Sequence, residues 1–260
     1  MIKNERQNEI LEILKKDSFA TVTSLAERLY ASMPTIRRDL SMLEEDGYVK
    51  RCHGGAMILD ENTKPPVYFR RGQKAHEKSD MCRVAATLIG EGDTVFIDAS
   101  TSAFHIKDFL EKSGKTTVIT NGLPLANALA DTDIRVYSTG GRLLKESLAF
   151  VGATAEEVVS TYNADAVFFS VASLSLDGML SDWAEDEAML RKAMTRSVKI
   201  KVLLCDSSKI GTASTFKLFD LSKVDYFVTD IEAPAELIQK FDLKALVTSP
   251  AYLYKIGSNE

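Results

Sequence analysis

Thr23-Ser24-Leu25-Ala26-Glu27-Arg28-Leu29-Tyr30-Ala31-Ser32-Met33-Pro34-Thr35-Ile36-Arg37-Arg38-Asp39-Leu40 is the stretch that decides the amino-terminal fold. Leu25, Ala26 and Leu29 mark the inward face of one helix, and Ile36, Leu40 and Leu43 that of the next. Thr23 is predicted to cap the first and Ser32 the second, with Tyr30-Ala31-Ser32 as the turn between them. Pro34 fits a first helical turn, where backbone amides lack an intrahelical partner. Burial of Ile36, Leu40 and Leu43 leaves Thr35, Arg37, Arg38 and Ser41 near the open face.

Upstream, Ile10, Leu11, Ile13 and Leu14 form one helical stripe, and Phe19 and Val22 suggest a short extended piece. Downstream, Gly47 is placed to end the helix as a left-handed cap. Residues 48–51 and 56–59 then flank Cys52-His53-Gly54-Gly55 in the pattern of a two-stranded hairpin. Three short helices and a hairpin make a winged helix-turn-helix, in which the third helix enters the DNA major groove and the wing touches the backbone. Ser32, Thr35, Arg37, Arg38, Ser41, Lys50, Arg51 and His53 are the candidate contacts to double-stranded DNA.

Composition alone does not advertise this partner. The chain of 260 residues has a net charge of −5, and residues 1–57 hold nine Lys/Arg and nine Asp/Glu. A neutral module binds DNA only if its charges are partitioned. Arg37, Arg38, Lys50 and Arg51 fall on the third helix and wing, whereas Glu5, Glu9 and Glu12 fall on the first helix. The 45% hydrophobic and 27% charged content is that of a soluble globular protein. No apolar run approaches the roughly 20 residues of a membrane span, and the charged start Met-Ile-Lys-Asn-Glu-Arg lacks a signal core. Cys52, Cys82 and Cys205 show no metal-ligand spacing. A cytoplasmic protein without membrane, metal or cofactor is expected.

Residues 58–75 read as a linker stiffened by Pro65-Pro66, between a module at 1–57 and a domain at 76–260. In the latter, a helix over 76–89 precedes β-branched runs at 94–97, 117–119, 134–137, 166–169, 201–204, 226–229 and 245–248. Helical patterns at 103–112, 125–131, 153–162, 184–197 and 234–241 alternate with them, which specifies an α/β domain with a mainly parallel sheet. Polar residues gather where strands end: Asp98, Ser100, Thr101 and Ser102, then Thr120 and Asn121, then Gly140, Gly141 and Arg142, then Asp206 and Lys209. Ligands of such sheets bind at those ends, and hydroxyls, glycines and cations there suit a phosphorylated polyol.

The segments Arg6-Gln7, Thr35-Ile36-Arg37-Arg38-Asp39-Leu40, Leu43-Glu44, Gly47 and Arg51-Cys52-His53-Gly54-Gly55-Ala56 resemble the DNA-binding domain of the DeoR family of bacterial transcription regulators. Asp98 to Ser102, Thr120-Asn121, Gly140-Gly141 and Asp206-x-x-Lys209 are similar to its sensor domain, so the resemblance covers nearly the whole chain. It implies a ribose-5-phosphate isomerase-like fold and control by a phosphorylated sugar. By it, the 100–102 loop and Gly140-Gly141 hold phosphate, while Asp98, Asn121 and Lys209 meet sugar hydroxyls. The chain departs from the family at Ser170-Val171-Ala172-Ser173, where G-x-x-G is usual, and over 177–183, which carries the single tryptophan. The expectation is a homo-oligomeric repressor of a carbohydrate-utilisation operon with no catalytic residues. Two alternatives stay open: a regulator whose sensor no longer binds ligand, and a sugar-phosphate isomerase using Asp98, Asp206 and Lys209.

Overall fold

The computed structural model describes residues 3–45, 48–52, 54–58, 67–110, 115–196 and 198–257. The expected cap Gly47, the wing residue His53 and the prolines of the linker lie outside the described residues. The chain divides into two units, Met1–Gln73 and Lys74–Glu260.

The first unit begins with helix α1 (Lys3–Asp17), strand β1 (Phe19–Thr21), helix α2 (Val22–Arg28) and helix α3 (Met33–Glu45). Strands β2 (Val49–Cys52) and β3 (Gly55–Ile58) pair antiparallel as the wing, and β1 adds to the other edge of β3. The stripe read from the sequence is the core: Ile10, Leu14, Leu25, Ile36 and Leu40 are completely buried. Each such side chain contributes about 1.5–3 kcal/mol over its exposed state. Thr21, not Thr23, caps α2, its Oγ1 accepting from the Ser24 amide at 3.0 Å. The chain leaves β1 one residue before the helix, so the cap falls two positions earlier than the apolar spacing suggests. Ser32 caps α3 as expected, accepting from Thr35 N at 3.3 Å. Gly55 is fixed by packing, because a Cβ there would overlap the Ala20 carbonyl and the Phe19 ring. A further helix, α4 (Val67–Gly72), occupies part of the stretch read as linker.

The second unit holds helix α5 (Ala75–Ala85) and strands β4 (Thr94–Ile97) and β5 (Thr117–Thr120), then α6 (Leu123–Leu129) and β6 (Arg135–Ser138). A small ribbon of β7 (Arg142–Leu144) and β8 (Ala149–Val151) leads to α7 (Ala153–Ser160) and β9 (Ala164–Phe169). Strands β10 (Ser173–Leu174) and β11 (Met179–Asp182), α8 (Glu185–Arg196), β12 (Val198–Leu204) and β13 (Phe216–Asp220) follow. The chain closes with β14 (Tyr226–Thr229), α9 (Ala235–Phe241), β15 (Lys244–Val247) and β16 (Tyr252–Lys255).

Eight strands form one sheet in the order β15-β16-β14-β12-β9-β4-β5-β6, parallel from β14 through β6 and antiparallel at β16 and β15. Strands β10, β11 and β13 form a separate antiparallel sheet. Alternation along each central strand feeds two cores. Phe96, Val167, Phe169 and Leu203 pack on one face, while Val95, Ile97, Phe168 and Leu204 pack on the other. Residues 103–108 form a 3-10 helix where the sequence predicts a longer α-helix over 103–112. Successive strands β4 and β5 are neighbours, while β9 lies on the opposite side of β4, so the strand order switches direction there. In open α/β sheets ligands bind outside the carboxyl ends of the strands beside such a switch.

Candidate DNA-binding surface and effector site

On α3 the apolar spacing is interrupted by one carboxylate, Asp39, which is buried beside Ile36 and Leu40. Arg6 of α1 meets it, Nε to Oδ2, at 2.5 Å, and that hydrogen bond raises the guanidinium pKa further. The pair locks α1 to α3. Arg37 and Arg38 project from the opposite face, exposed, and make no ion pair among the described residues. Ser41 links helix to wing: its hydroxyl donates to the Arg37 carbonyl at 2.9 Å and accepts from Arg51 Nη1 at 2.6 Å. Glu44 Oε1 accepts from the Arg51 amide at 2.7 Å. Ser32 and Thr35 hydroxyls lie 2.8 Å apart at the amino end of α3, and Lys50 stands exposed on β2. All these predicted residues fall on the helix and wing. Arg51, expected to face DNA, is held against α3.

In the second unit, the loops after β4, β9 and β12 converge. Lys209 Nζ donates to Ser102 Oγ at 3.0 Å and to Ser170 Oγ at 2.8 Å, and lies 3.3 Å from Asp206 Oδ2. Lys78 of α5 is buried, with its Nζ 3.4 Å from Thr101 Oγ1. Burial alone would raise the Asp206 carboxyl, but Lys209 and the Ser208 hydroxyl outweigh it and hold its pKa below the usual carboxylate range. Lys74 pairs with Asp230 at 2.7 Å on the adjoining strand end.

Asp98 and Asn121, expected to meet sugar hydroxyls, are engaged inside the protein. Asp98 Oδ2 accepts from Arg191 Nε at 2.7 Å and from the Ser170 amide at 3.4 Å, and Oδ1 accepts from the Ser100 amide at 3.1 Å. Arg191 Nη1 also reaches Asp182 Oδ2 at 2.5 Å. Burial opposes the charge on Arg191, yet Asp182 and Asp98 hold it firmly protonated. Asn121 Oδ1 accepts from Ala99 N at 2.9 Å, and its Nδ2 donates to Phe150 O at 3.1 Å. Ser100 Oγ and Thr120 Oγ1 accept from nearby loop amides. These four residues shape the loops, because a short polar side chain beside an exposed turn amide bonds to it first.

Gly140 and Gly141 have φ of 60° and 105° at the end of the edge strand β6, two strands from β4. Arg142 is exposed and pairs with Asp186 rather than reaching the cluster. The hydroxyls of the departing Ser-x-x-Ser segment are both bonded, Ser170 to Lys209 and Ser173 to Ser214 Oγ at 2.7 Å. The sequence reading passed over Lys78 and Arg191. Their signal was present: each occupies the buried stripe of its helix, Lys78 with Met81, Cys82 and Ala85, and Arg191 with Ala188 and Met194. A cation in an apolar stripe requires a partner or a ligand.

Two family descriptions match the chain, the DeoR-like helix-turn-helix domain over residues 6–62 and the DeoR C terminal sensor domain over 73–231. The chain belongs to the DeoR family. Among the family members it resembles, it is 33% identical over 253 residues to the HTH-type transcriptional repressor GlcR of Bacillus subtilis, covering 95% of this chain and 97% of that protein. It is 32% identical to the HTH-type transcriptional regulator GolR of Listeria innocua, covering 93% and 96% of the two chains. It is 28% identical to the glycerol-3-phosphate regulon repressor of Escherichia coli, covering 92% and 95%. Ribose 5-phosphate isomerase A of Methanocaldococcus jannaschii aligns with 71% of this chain and 80% of its own, at 11% identity and a TM-score of 0.40. As a DeoR-family protein the chain is a DNA-binding transcription regulator, not an enzyme. Of the carboxylates offered for isomerase chemistry, Asp98 is bonded to Arg191, and Asp206 is held below the usual carboxylate range beside Lys209. No helix among the described residues is long and apolar enough to cross a membrane.

Proposed function

We propose that this regulator is a repressor of a carbohydrate-utilisation operon and that a phosphorylated sugar, bound at the strand ends of the second unit, controls it. In this proposal the DNA module is residues 1–57, the linker 58–75 and the sensor 76–260. The observation that carries it is the pair of ammonium groups, Lys78 and Lys209, set among the Thr101 and Ser102 hydroxyls at the switch in strand order. Two cations and short hydroxyls recognise a phosphoryl group. The 100–102 loop and Lys209 supply its contacts, with Gly140-Gly141 and Arg142 at the outer edge. Asp98, Thr120 and Asn121 hold the loops in shape. One similar protein is named for a glycerol-3-phosphate regulon, a phosphorylated polyol. On DNA, Ser32, Thr35, Arg37, Arg38, Ser41, Lys50, Arg51 and His53 form the contact surface. Recognition of a two-fold operator calls for at least a dimer, with recognition helices one helical turn or a multiple of it apart.

The test is a gel-shift titration on the promoter of its own operon, with a panel of phosphorylated sugars. Release at millimolar or lower concentration is expected. If no member of the panel changes binding, the control reading fails.

One observation favours a second reading, in which the sensor serves only to assemble the oligomer. All three ammonium protons of Lys209 already have acceptors, in Ser102, Ser170 and Asp206. Calorimetry separates the two: heat on adding a phosphorylated sugar supports control, and none across the panel supports assembly alone.

A further inference from the structure

Helix α2 ends in a paired motif of backbone hydrogen bonds. Ala31 N donates to Ala26 O at 3.0 Å and Tyr30 N to Glu27 O at 3.4 Å. This 6→1 and 5→2 arrangement requires its penultimate residue to take the left-handed conformation, the position where glycine is favoured. Here it is Tyr30, at φ 49°. A bulky L side chain is strained in that region. Burial offers no compensation, since Tyr30 is 98% exposed. Among the described residues neither its ring nor its hydroxyl has a partner within the chain. The two backbone bonds hold the strain in place, and a strained residue with so large an exposed side chain is the kind of outlier that marks a functional position.

Tyr30 stands two residues before Ser32, the cap of α3, and therefore at the amino-terminal end of the recognition helix. That end is the part of a helix-turn-helix that reaches into the major groove, where flanking residues meet sugar and phosphate. We propose that Tyr30 is a DNA-contacting residue, its ring lying along the sugar–phosphate backbone beside the groove and its hydroxyl donating to a phosphate oxygen. The contact fixes the register of α3 on the duplex without reading a base. Because phenol is neutral, it releases no counterion.

The experiment measures binding by fluorescence anisotropy for the full chain and its Tyr30→Gly and Tyr30→Phe variants. The duplexes are its own promoter and a random sequence of equal length, each over a range of salt. Tyr30→Gly removes the strain and is expected to melt at the wild-type temperature or above it. The same variant is expected to bind both duplexes about five- to tenfold more weakly, the loss of one hydrogen bond and its ring contact. Tyr30→Phe falls between the two, and the slope of log K against log salt is unchanged in both variants. Wild-type affinity in Tyr30→Gly overturns the proposal. So does a loss confined to the promoter, which would make Tyr30 a base reader, or a loss accompanied by a lower melting temperature, which would make its role structural.

Discussion

Arg37 and Arg38 are neighbours in sequence, so they point about 100° apart around α3 and cannot both address the same feature of DNA. In the proposed DNA contact, the one closer to the groove floor would read a guanine edge and the other would grip phosphate. Arg37→Ala and Arg38→Ala are each expected to weaken promoter binding by about 1–3 kcal/mol. Anisotropy at several salt concentrations assigns the roles: loss of the phosphate contact lowers the salt slope by about one and affects all sequences alike. Ser170 is the corresponding residue in the second unit. Its hydroxyl accepts one of the Lys209 protons, so Ser170→Ala frees that donor. Under the proposed control, the variant is expected to bind a phosphorylated sugar up to about tenfold more tightly by calorimetry, one charged hydrogen bond having been released.

At the scale of elements, Arg191 joins α8 to the ends of both β4 and β11 through Asp98 and Asp182. Arg191→Ala removes the guanidinium that both buried carboxylates meet and is expected to destabilise the second unit by about 3–5 kcal/mol. Thermal melting followed by circular dichroism measures this, and an unchanged transition would show that the pair contributes nothing. The central strands of the large sheet were legible because they run apolar on both faces: Val95-Phe96-Ile97 and Val202-Leu203-Leu204 leave little else to be, whereas the antiparallel strand β16 was missed. Short elements were not. The two-residue strand β10 and the ribbon of β7 and β8 are too brief to show a period. Around residues 103–108 the apolar spacing of Ala103 and Ile106 suits a 3-10 and an α-helix equally. The site was legible in its loops but not in its cations. Asp98 and Arg191 lie 93 positions apart, and Lys78 lies 23 from Thr101, so no local pattern announces either pairing.

For the whole molecule, stability follows the carboxylates. Burial works to raise Asp230, but hydrogen bonds from Lys74 and Ser207 hold it below the ordinary range, as Lys209 does for Asp206. A carboxyl depressed on folding stabilises fully above its unfolded pKa, near 3.8, and that contribution is lost as pH falls through the lower folded value. Acid titration followed by tryptophan fluorescence is therefore expected to show a plateau at neutral pH and loss of structure only below about pH 4. The thiols report the same integrity. Burial pushes Cys205 up to about 12 and raises Cys82 further, so neither is a thiolate at pH 8. Iodoacetamide at that pH is expected to spare both in the native protein and to label both in denaturant, read by mass spectrometry.

The Lys209 cage has a consequence for signalling. Ser102, Ser170 and Asp206 act as an internal competitor for the ammonium group. In the proposed mechanism an incoming phosphoryl group must exchange places with at least one of them, so its net affinity is a difference and not a sum. Such a receptor ignores trace metabolite and answers only once the pool has filled, which sets the gene's response to supply rather than to mere presence.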